Sequence, residues 1–90
     1  MKVINMLSTR NSGAHVANQF IITDGSKEIF QSYRSTIAIK DNGAVILDET
    51  HWNYSRTTSK YLCAFLEETT QEIKQKIKDG VYTFQDLNND

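Results

Sequence analysis

The sequence predicts an α+β domain: an antiparallel β-meander of about five to six strands, with two C-terminal helices packed on one face. Two observations support this fold class. Before Asp48, apolar and polar side chains alternate in short runs separated by glycine-containing turns, as is typical of antiparallel strands. After Asp48, apolar residues recur every three or four positions, as is typical of amphipathic helices.

The first half of the chain contains the predicted strands. An exposed loop is expected over 8–15, where breaker residues cluster, and Asp24-Gly25 predicts a hairpin turn. The strand after Tyr33 is expected to follow a kink, and the next turn is expected over 41–43. The strands are predicted over 3–7, 16–23, 28–33, 35–40 and 44–47. Because most connections are short, neighbouring strands are expected to pair.

The first helix is predicted over 54–68. Ser55 or Thr57 can cap its start, because a hydroxyl oxygen there can accept a hydrogen bond from a backbone N–H of the first turn. One face of this helix collects its apolar side chains, namely Tyr54, Tyr61, Leu62, Phe65 and Leu66. We therefore expect that face to pack on the sheet.

A short second helix is predicted to follow directly. Thr69 and Glu72 form a capping box, and Gly80 supplies a left-handed stop. The run 81–84 is expected to be a final strand on an edge of the sheet, and 88–90 a frayed tail.

Size and charge limit the function classes. Ninety residues, 39% of them hydrophobic and 23% charged, suit one domain over 1–90. Because so small a domain buries a modest share of its surface, a homodimer is a further expectation. The net charge of −1 gives no overall attraction to nucleic acid or membrane. The single cysteine, Cys63, and the short apolar N-terminus suit a cytoplasmic protein.

Residues that could carry catalysis are few and scattered. The candidate metal ligands form no motif of convergent spacing; they are His15, Asp48, Glu49, His51 and Cys63. The thiol of Cys63 falls on the apolar side of the first helix, where such a group is usually a packing residue. We therefore expect no enzyme, no cofactor and no metal site.

A binding surface is predicted around the start of the first helix. Trp52, Tyr54, Arg56 and Lys60 interleave aromatic rings with cations, a mixture that is typical of protein interfaces and of surfaces that stack nucleic-acid bases. The alternative is that Trp52 packs beneath the helix. A second pair of the same kind, Tyr33 and Arg34, stands at a strand end.

The chain also resembles a family of small uncharacterised phage and plasmid proteins. The resemblance covers roughly 1–88. It is carried by Ser12-Gly13, by 16–20 and 30–33, by Leu47-Asp48, by the run from Trp52 to Tyr61, and by Phe65-Leu66. The family implies no activity, but it implies a mobile genetic element acting inside a bacterial host cell.

Together these observations predict a non-enzymatic protein that binds and modulates or inhibits a host or defence-system protein. The alternative is an accessory protein that binds single-stranded DNA or RNA. In either case the expected contacts are Tyr33, Arg34, Trp52, Tyr54, Arg56 and Lys60.

Overall fold

In a computed structural model, residues 2–7 and 15–88 are described, and they form one sheet and two helices. The strands are β1 (Lys2–Leu7), β2 (His15–Asp24), β3 (Lys27–Ser32), β4 (Ser35–Asp41), β5 (Ala44–Asp48) and β6 (Tyr82–Gln85). The helices are α1 (Arg56–Leu66) and α2 (Thr70–Lys78). The strands lie side by side in chain order, which confirms the predicted α+β class.

The strands β1 to β5 form the predicted antiparallel meander. The final strand, β6, runs parallel to β5 at the sheet edge. The reason is that two helices connect β5 to β6, and a long crossover can carry the chain back to the end of the sheet at which β5 began. The edge position itself was predicted.

The turns follow local backbone preferences. Asn42 and Gly43 have φ values of 52° and 87°, as a type I′ hairpin turn requires. Gly25 has φ 63° and Asp24 ends β2, so the first turn lies one residue later than predicted. The predicted kink after Tyr33 is wrong, because the chain reverses fully between Ser32 and Ser35.

The predicted loop over 8–15 and the predicted tail over 88–90 differ from the structure at His15 and Asn88. His15 belongs to β2 rather than to the loop, and 8–14 lie outside the described residues. Asn88 is hydrogen-bonded through its side chain to both backbone groups of Thr36, at 2.7 and 2.9 Å. The predicted frayed tail therefore does not begin at Asn88, while 89–90 lie outside the described residues.

The predicted helix caps are present. The hydroxyl of Ser55 accepts from the N–H of Thr58, and Thr69 and Glu72 form the full capping box. Gly80 has φ 77°, as expected at a left-handed stop. The first helix was predicted over 54–68 but runs from Arg56 to Leu66, and its C-cap Glu67 has φ 56° without being a glycine.

The core lies between the helices and one side of the sheet. Phe30, Ala38 and Leu47 are directly paired across β3, β4 and β5, and all three are fully buried. The rings of Phe30 and Phe65 have centroids 5.7 Å apart, which joins α1 to the sheet. The other side of the sheet, called the open face below, carries residues such as Ile29 and Ile39.

A polar network secures the second helix. Glu68 accepts hydrogen bonds from the Tyr82 hydroxyl and pairs with the Lys76 ammonium, so it links the end of α1, the helix α2 and the strand β6. Burial and the neighbouring carboxylate of Glu68 raise the pKa of Tyr82.

Among the described helices, neither is long and apolar enough to cross a membrane.

Candidate functional site

The two segments that the sequence singled out lie at the same end of the sheet. Strand β3 ends and β4 begins at the Tyr33-Arg34 turn, and β5 and β6 both end on that side. The loop 49–55 leaves β5 there and leads into α1. Asn88 connects the two segments. Its side-chain amide is hydrogen-bonded to the backbone of Thr36, and its nitrogen lies 3.5 Å from Nδ1 of His51. We call this surface the end face; its members are Tyr33, Arg34, His51, Tyr54 and Arg56.

Tyr33 occupies an unfavourable backbone conformation. Its φ of 57° lies in the left-handed region, which bulky residues rarely adopt. Its N–H donates to the carbonyl of Asn18 at 2.6 Å, and its own carbonyl accepts from Nε2 of Gln31 at 2.8 Å. The side chain is nevertheless 59% exposed. These hydrogen bonds hold the backbone of Tyr33 in a conformation whose strain is on the order of 1–3 kcal/mol, and they leave the side chain exposed.

Asp48 holds the loop that carries the rest of the end face. Its carboxylate is fully buried. One oxygen accepts from the N–H of Leu87 at 2.8 Å, and the other accepts from the N–H groups of Thr50 and His51 at 3.2 and 2.8 Å. The same oxygen lies 2.7 Å from Nδ1 of His51. One side chain therefore fixes the start of the loop, the His51 ring and the C-terminal segment.

The titration of Asp48 follows from these contacts. Burial alone would raise its pKa, but the hydrogen bonds from Leu87 and His51 outweigh burial and place the pKa below the ordinary value of 3.8. The carboxylate is therefore ionised near neutral pH. An ionised carboxylate is the form that can accept hydrogen bonds from all of these donors at once.

His51 and Asp48 also resemble the base and orienting group of some hydrolytic sites. The described residues enclose no cavity beside this pair, and they include no group of three or more potential metal ligands. Asp48 accepts hydrogen bonds from backbone N–H groups and so anchors the loop, which accounts for its burial. The His51 ring contacts the Tyr54 ring edge-on, with centroids 5.6 Å apart.

The predicted contact residues divide into two groups. Tyr54 is 65% exposed, and Arg34 and Arg56 are exposed as well. In contrast, Trp52 is half-buried against the core and its ring lies 5.8 Å from that of Phe84. Lys60 is half-buried with its ammonium over the Tyr61 ring at 5.5 Å. Tyr33, Arg34, Tyr54 and Arg56 are therefore exposed at the same end of the sheet, whereas Trp52 takes the packing alternative.

This division can be measured. Trp52→Ala should lower the free energy of unfolding by about 2–3 kcal/mol, less than for a fully buried tryptophan because part of the ring is exposed. Tyr54→Ala, the matched control from the same loop, should change it by less than about 0.5 kcal/mol. Urea denaturation followed by circular dichroism checks both. Equal losses in the two variants would contradict the assignment of Trp52 to the scaffold.

Sequence reasoning missed the supporting roles of His51 and Asn88. The signal for His51 is its position three residues after Asp48 and just before a helix. The role of Asn88 depends on a contact with Thr36, 52 positions away, and no local pattern shows it.

Comparison with known proteins adds a family but no activity. Neither the curated proteins nor the solved structures gave a match. A family of unknown function, DUF8033, matches residues 1–80. This range includes both helices and every strand except β6. The chain therefore belongs to the DUF8033 family of unknown function.

Proposed function

We propose that this chain is a non-enzymatic protein of a phage or another mobile element, and that it binds and modulates or inhibits a host or defence-system protein through the end face. One observation carries the proposal: two large aromatic side chains, Tyr33 and Tyr54, are 59% and 65% exposed at one end of the sheet, beside Arg34 and Arg56. Tyrosine and arginine contribute a large share of binding energy in protein interfaces.

The charges of the end face favour a partner with acidic groups. Arg56 is the first residue of α1, and no acidic side chain stands in the first turn of that helix. The partial positive charge of the helix start therefore adds to the charge of Arg56 instead of being neutralised. Arg34 supplies a second cation on the neighbouring turn. An acidic patch on the partner protein would be complementary to this arrangement.

The groups with catalytic potential already have structural uses, which supports binding without chemistry. Asp48 and His51 anchor the loop 49–55. Cys63 is half-buried within α1 against the core, and its Sγ lies 3.4 Å from Oγ1 of Thr70. We assign each of these groups to the scaffold that holds the end face.

Affinity capture tests the proposal. Tagged, folded protein is incubated with lysate of a bacterial host, and retained proteins are identified by mass spectrometry. We expect one host or defence protein to be enriched and to be displaced as salt is raised, because arginines contribute to binding. If no protein is retained above an unrelated tagged domain of the same size, the proposal is wrong.

Binding to single-stranded DNA or RNA is the second candidate. Exposed tyrosines beside arginines can stack bases and contact phosphates, and each stacked base contributes roughly 1–3 kcal/mol. This function predicts that labelled oligonucleotides are retained at low salt and released steeply as salt rises. Absence of retention at about 20 mM salt, well below physiological ionic strength, would exclude it.

Tyr33 offers a test in which stability and binding change in opposite directions. Asparagine tolerates a positive φ better than tyrosine, so Tyr33→Asn should raise the free energy of unfolding by about 0.5–1 kcal/mol. The same change removes an aromatic contact and should weaken partner capture at least tenfold. Thermal unfolding and capture yield measure the two effects. A more stable variant with unchanged capture would remove Tyr33 from the binding surface.

A further inference from the structure

The open face carries a continuous row of apolar side chains that lies apart from the core and from the end face. Directly paired residues cross the sheet in the order Val3, Ile22, Ile29, Ile39, Ile46 and Thr83. Paired residues on neighbouring strands point to the same side of a sheet, and this row alternates with the buried row of Phe30. A sheet side that faces water is normally polar. Five adjacent apolar positions therefore indicate a surface that another molecule covers.

These side chains are not part of the core. The isoleucines at 22, 29, 39 and 46 are half-buried, Val3 is 58% exposed, and none of them belongs to the core cluster or packs against it. Strand alternation places Asp24, Lys27, Asp41 and Ala44 along one side of the row, and Asn5, Phe20, Gln31 and Thr36 along the other, so both sides are mostly polar. An apolar centre with a polar rim is the usual anatomy of a protein interface.

We propose that the open face binds a second copy of this chain, so that two sheets pack face to face as a sandwich. The row is nearly symmetric about its middle. A two-fold axis along the strands, between β3 and β4, places Ile29 on Ile39 of the partner subunit and Ile22 on Ile46 of the partner subunit. Such a contact buries isoleucine against isoleucine across four strands, with the modest rotation that sheet twist imposes.

The charges beside the row fit the same axis. Lys27 on β3 and Asp41 on β4 are directly paired neighbours within one chain. The two-fold rotation exchanges their places, so Lys27 faces Asp41 of the partner subunit and Asp41 faces Lys27 of the partner subunit. The dimer thus gains two symmetric opposite-charge contacts. The face is therefore complementary to itself in charge.

The area of the face is sufficient for a dimer. Six strands about 4.8 Å apart, each contributing about six residues at roughly 3.3 Å, give a face on the order of 500–600 Å² per copy in projection. Two copies then bury on the order of 1,000–1,200 Å², near the lower limit for specific interfaces. We therefore expect a reversible dimer with a dissociation constant on the order of 1–100 µM.

Sedimentation velocity of the full chain over a range of concentrations is the first test. The wild-type protein should shift from monomer to dimer as its concentration rises. Ile29→Thr with Ile39→Thr keeps β-branched side chains while removing apolar surface, and should weaken association at least tenfold with circular dichroism unchanged. A wild-type chain that stays monomeric at about 1 mM, far above the expected dissociation constant, overturns the proposal.

Charge reversal tests the two-fold arrangement itself. Lys27→Glu alone and Asp41→Lys alone should each weaken self-association at least tenfold, because each places like charges in contact. An equimolar mixture of these two variants restores both opposite-charge contacts between subunits, and should associate like the wild type. Changes within one chain cannot produce this rescue. If the wild type dimerises but the mixture stays monomeric, the proposed packing is wrong.

The dimer does not depend on the proposed function. The end face lies at the strand ends, whereas the open face lies on the flat side of the sheet. The variant Ile29→Thr with Ile39→Thr is therefore expected to retain the wild-type partner capture per chain. Loss of capture in this variant without loss of self-association would assign the row to the external partner and overturn the homodimer.

Discussion

Replacing Phe30 with alanine is expected to lower the free energy of unfolding by about 3–5 kcal/mol. Phe30 is fully buried at the centre of the sheet, paired with Ala38 and in ring contact with Phe65 of α1. Truncation removes its apolar contacts and leaves a cavity at the helix–sheet junction, which rigid neighbours fill only in part. Since small domains have total stabilities of roughly 5–15 kcal/mol, the variant should be close to unfolding at 37 °C.

The adjacent residue supplies the control. Ile29 precedes Phe30 on the same strand but points to the open face and is half-buried. In dilute, monomeric protein, Ile29→Ala should cost about 1 kcal/mol, because fewer contacts are lost and no enclosed cavity forms. Urea denaturation at low protein concentration measures both variants. If Ile29→Ala were as damaging as Phe30→Ala, the assignment of core and open face would be wrong.

Replacing Asp48 with alanine is expected to lower the free energy of unfolding by about 3–4 kcal/mol. The change removes the acceptor for the N–H groups of Leu87, Thr50 and His51, and a buried donor without a partner costs roughly 1–3 kcal/mol, less where water can enter. The loss should also loosen the loop 49–55 and with it the end face. We therefore expect weaker partner capture even at temperatures where the variant is folded.

The pH dependence of stability isolates the charge of Asp48. Its pKa is lower in the folded chain than the ordinary 3.8, so the stabilisation is present above about pH 4 and is lost as pH falls through the folded pKa. Asp48→Asn keeps the size but not the charge, so the stability gap to the wild type should be constant near neutral pH and narrow below about pH 4. Thermal unfolding between pH 2 and pH 7 checks this. A gap that persists unchanged at the lowest pH would exclude the charge as its cause.

Local patterns predicted most of the fold for identifiable reasons. Asn42-Gly43 fixes a type I′ turn through its positive φ angles, and the Thr69–Glu72 box fixes the start of α2. These signals act over a few residues, so they can be read from the sequence. The turn at Tyr33 was not predicted, because tyrosine rarely adopts a φ of 57°. This backbone conformation is instead held by the hydrogen bond from the Tyr33 N–H to the carbonyl of Asn18 on β2.

The candidate site was less predictable, since tertiary contacts decide it. The sequence indicated that Trp52 and Tyr54 belong to one aromatic and cationic segment, but only the packing on Phe84 separates the buried ring from the exposed one. It also gave no reason to bring the Tyr33 turn and the loop 49–55 together. Strand order places both at one end of the sheet, and Asn88 connects them from the far end of the chain.

Partner capture with matched charge variants tests the central claim, that this chain acts by binding through the end face. One variant combines Arg34→Ala with Arg56→Ala, and the control combines Lys74→Ala with Lys78→Ala on the exposed side of α2. Both change the net charge by the same amount. We expect the arginine variant to lose at least tenfold in affinity for the captured protein, with unchanged melting, and the lysine variant to bind like the wild type. Equal binding by the two variants would contradict the assignment of function to the end face.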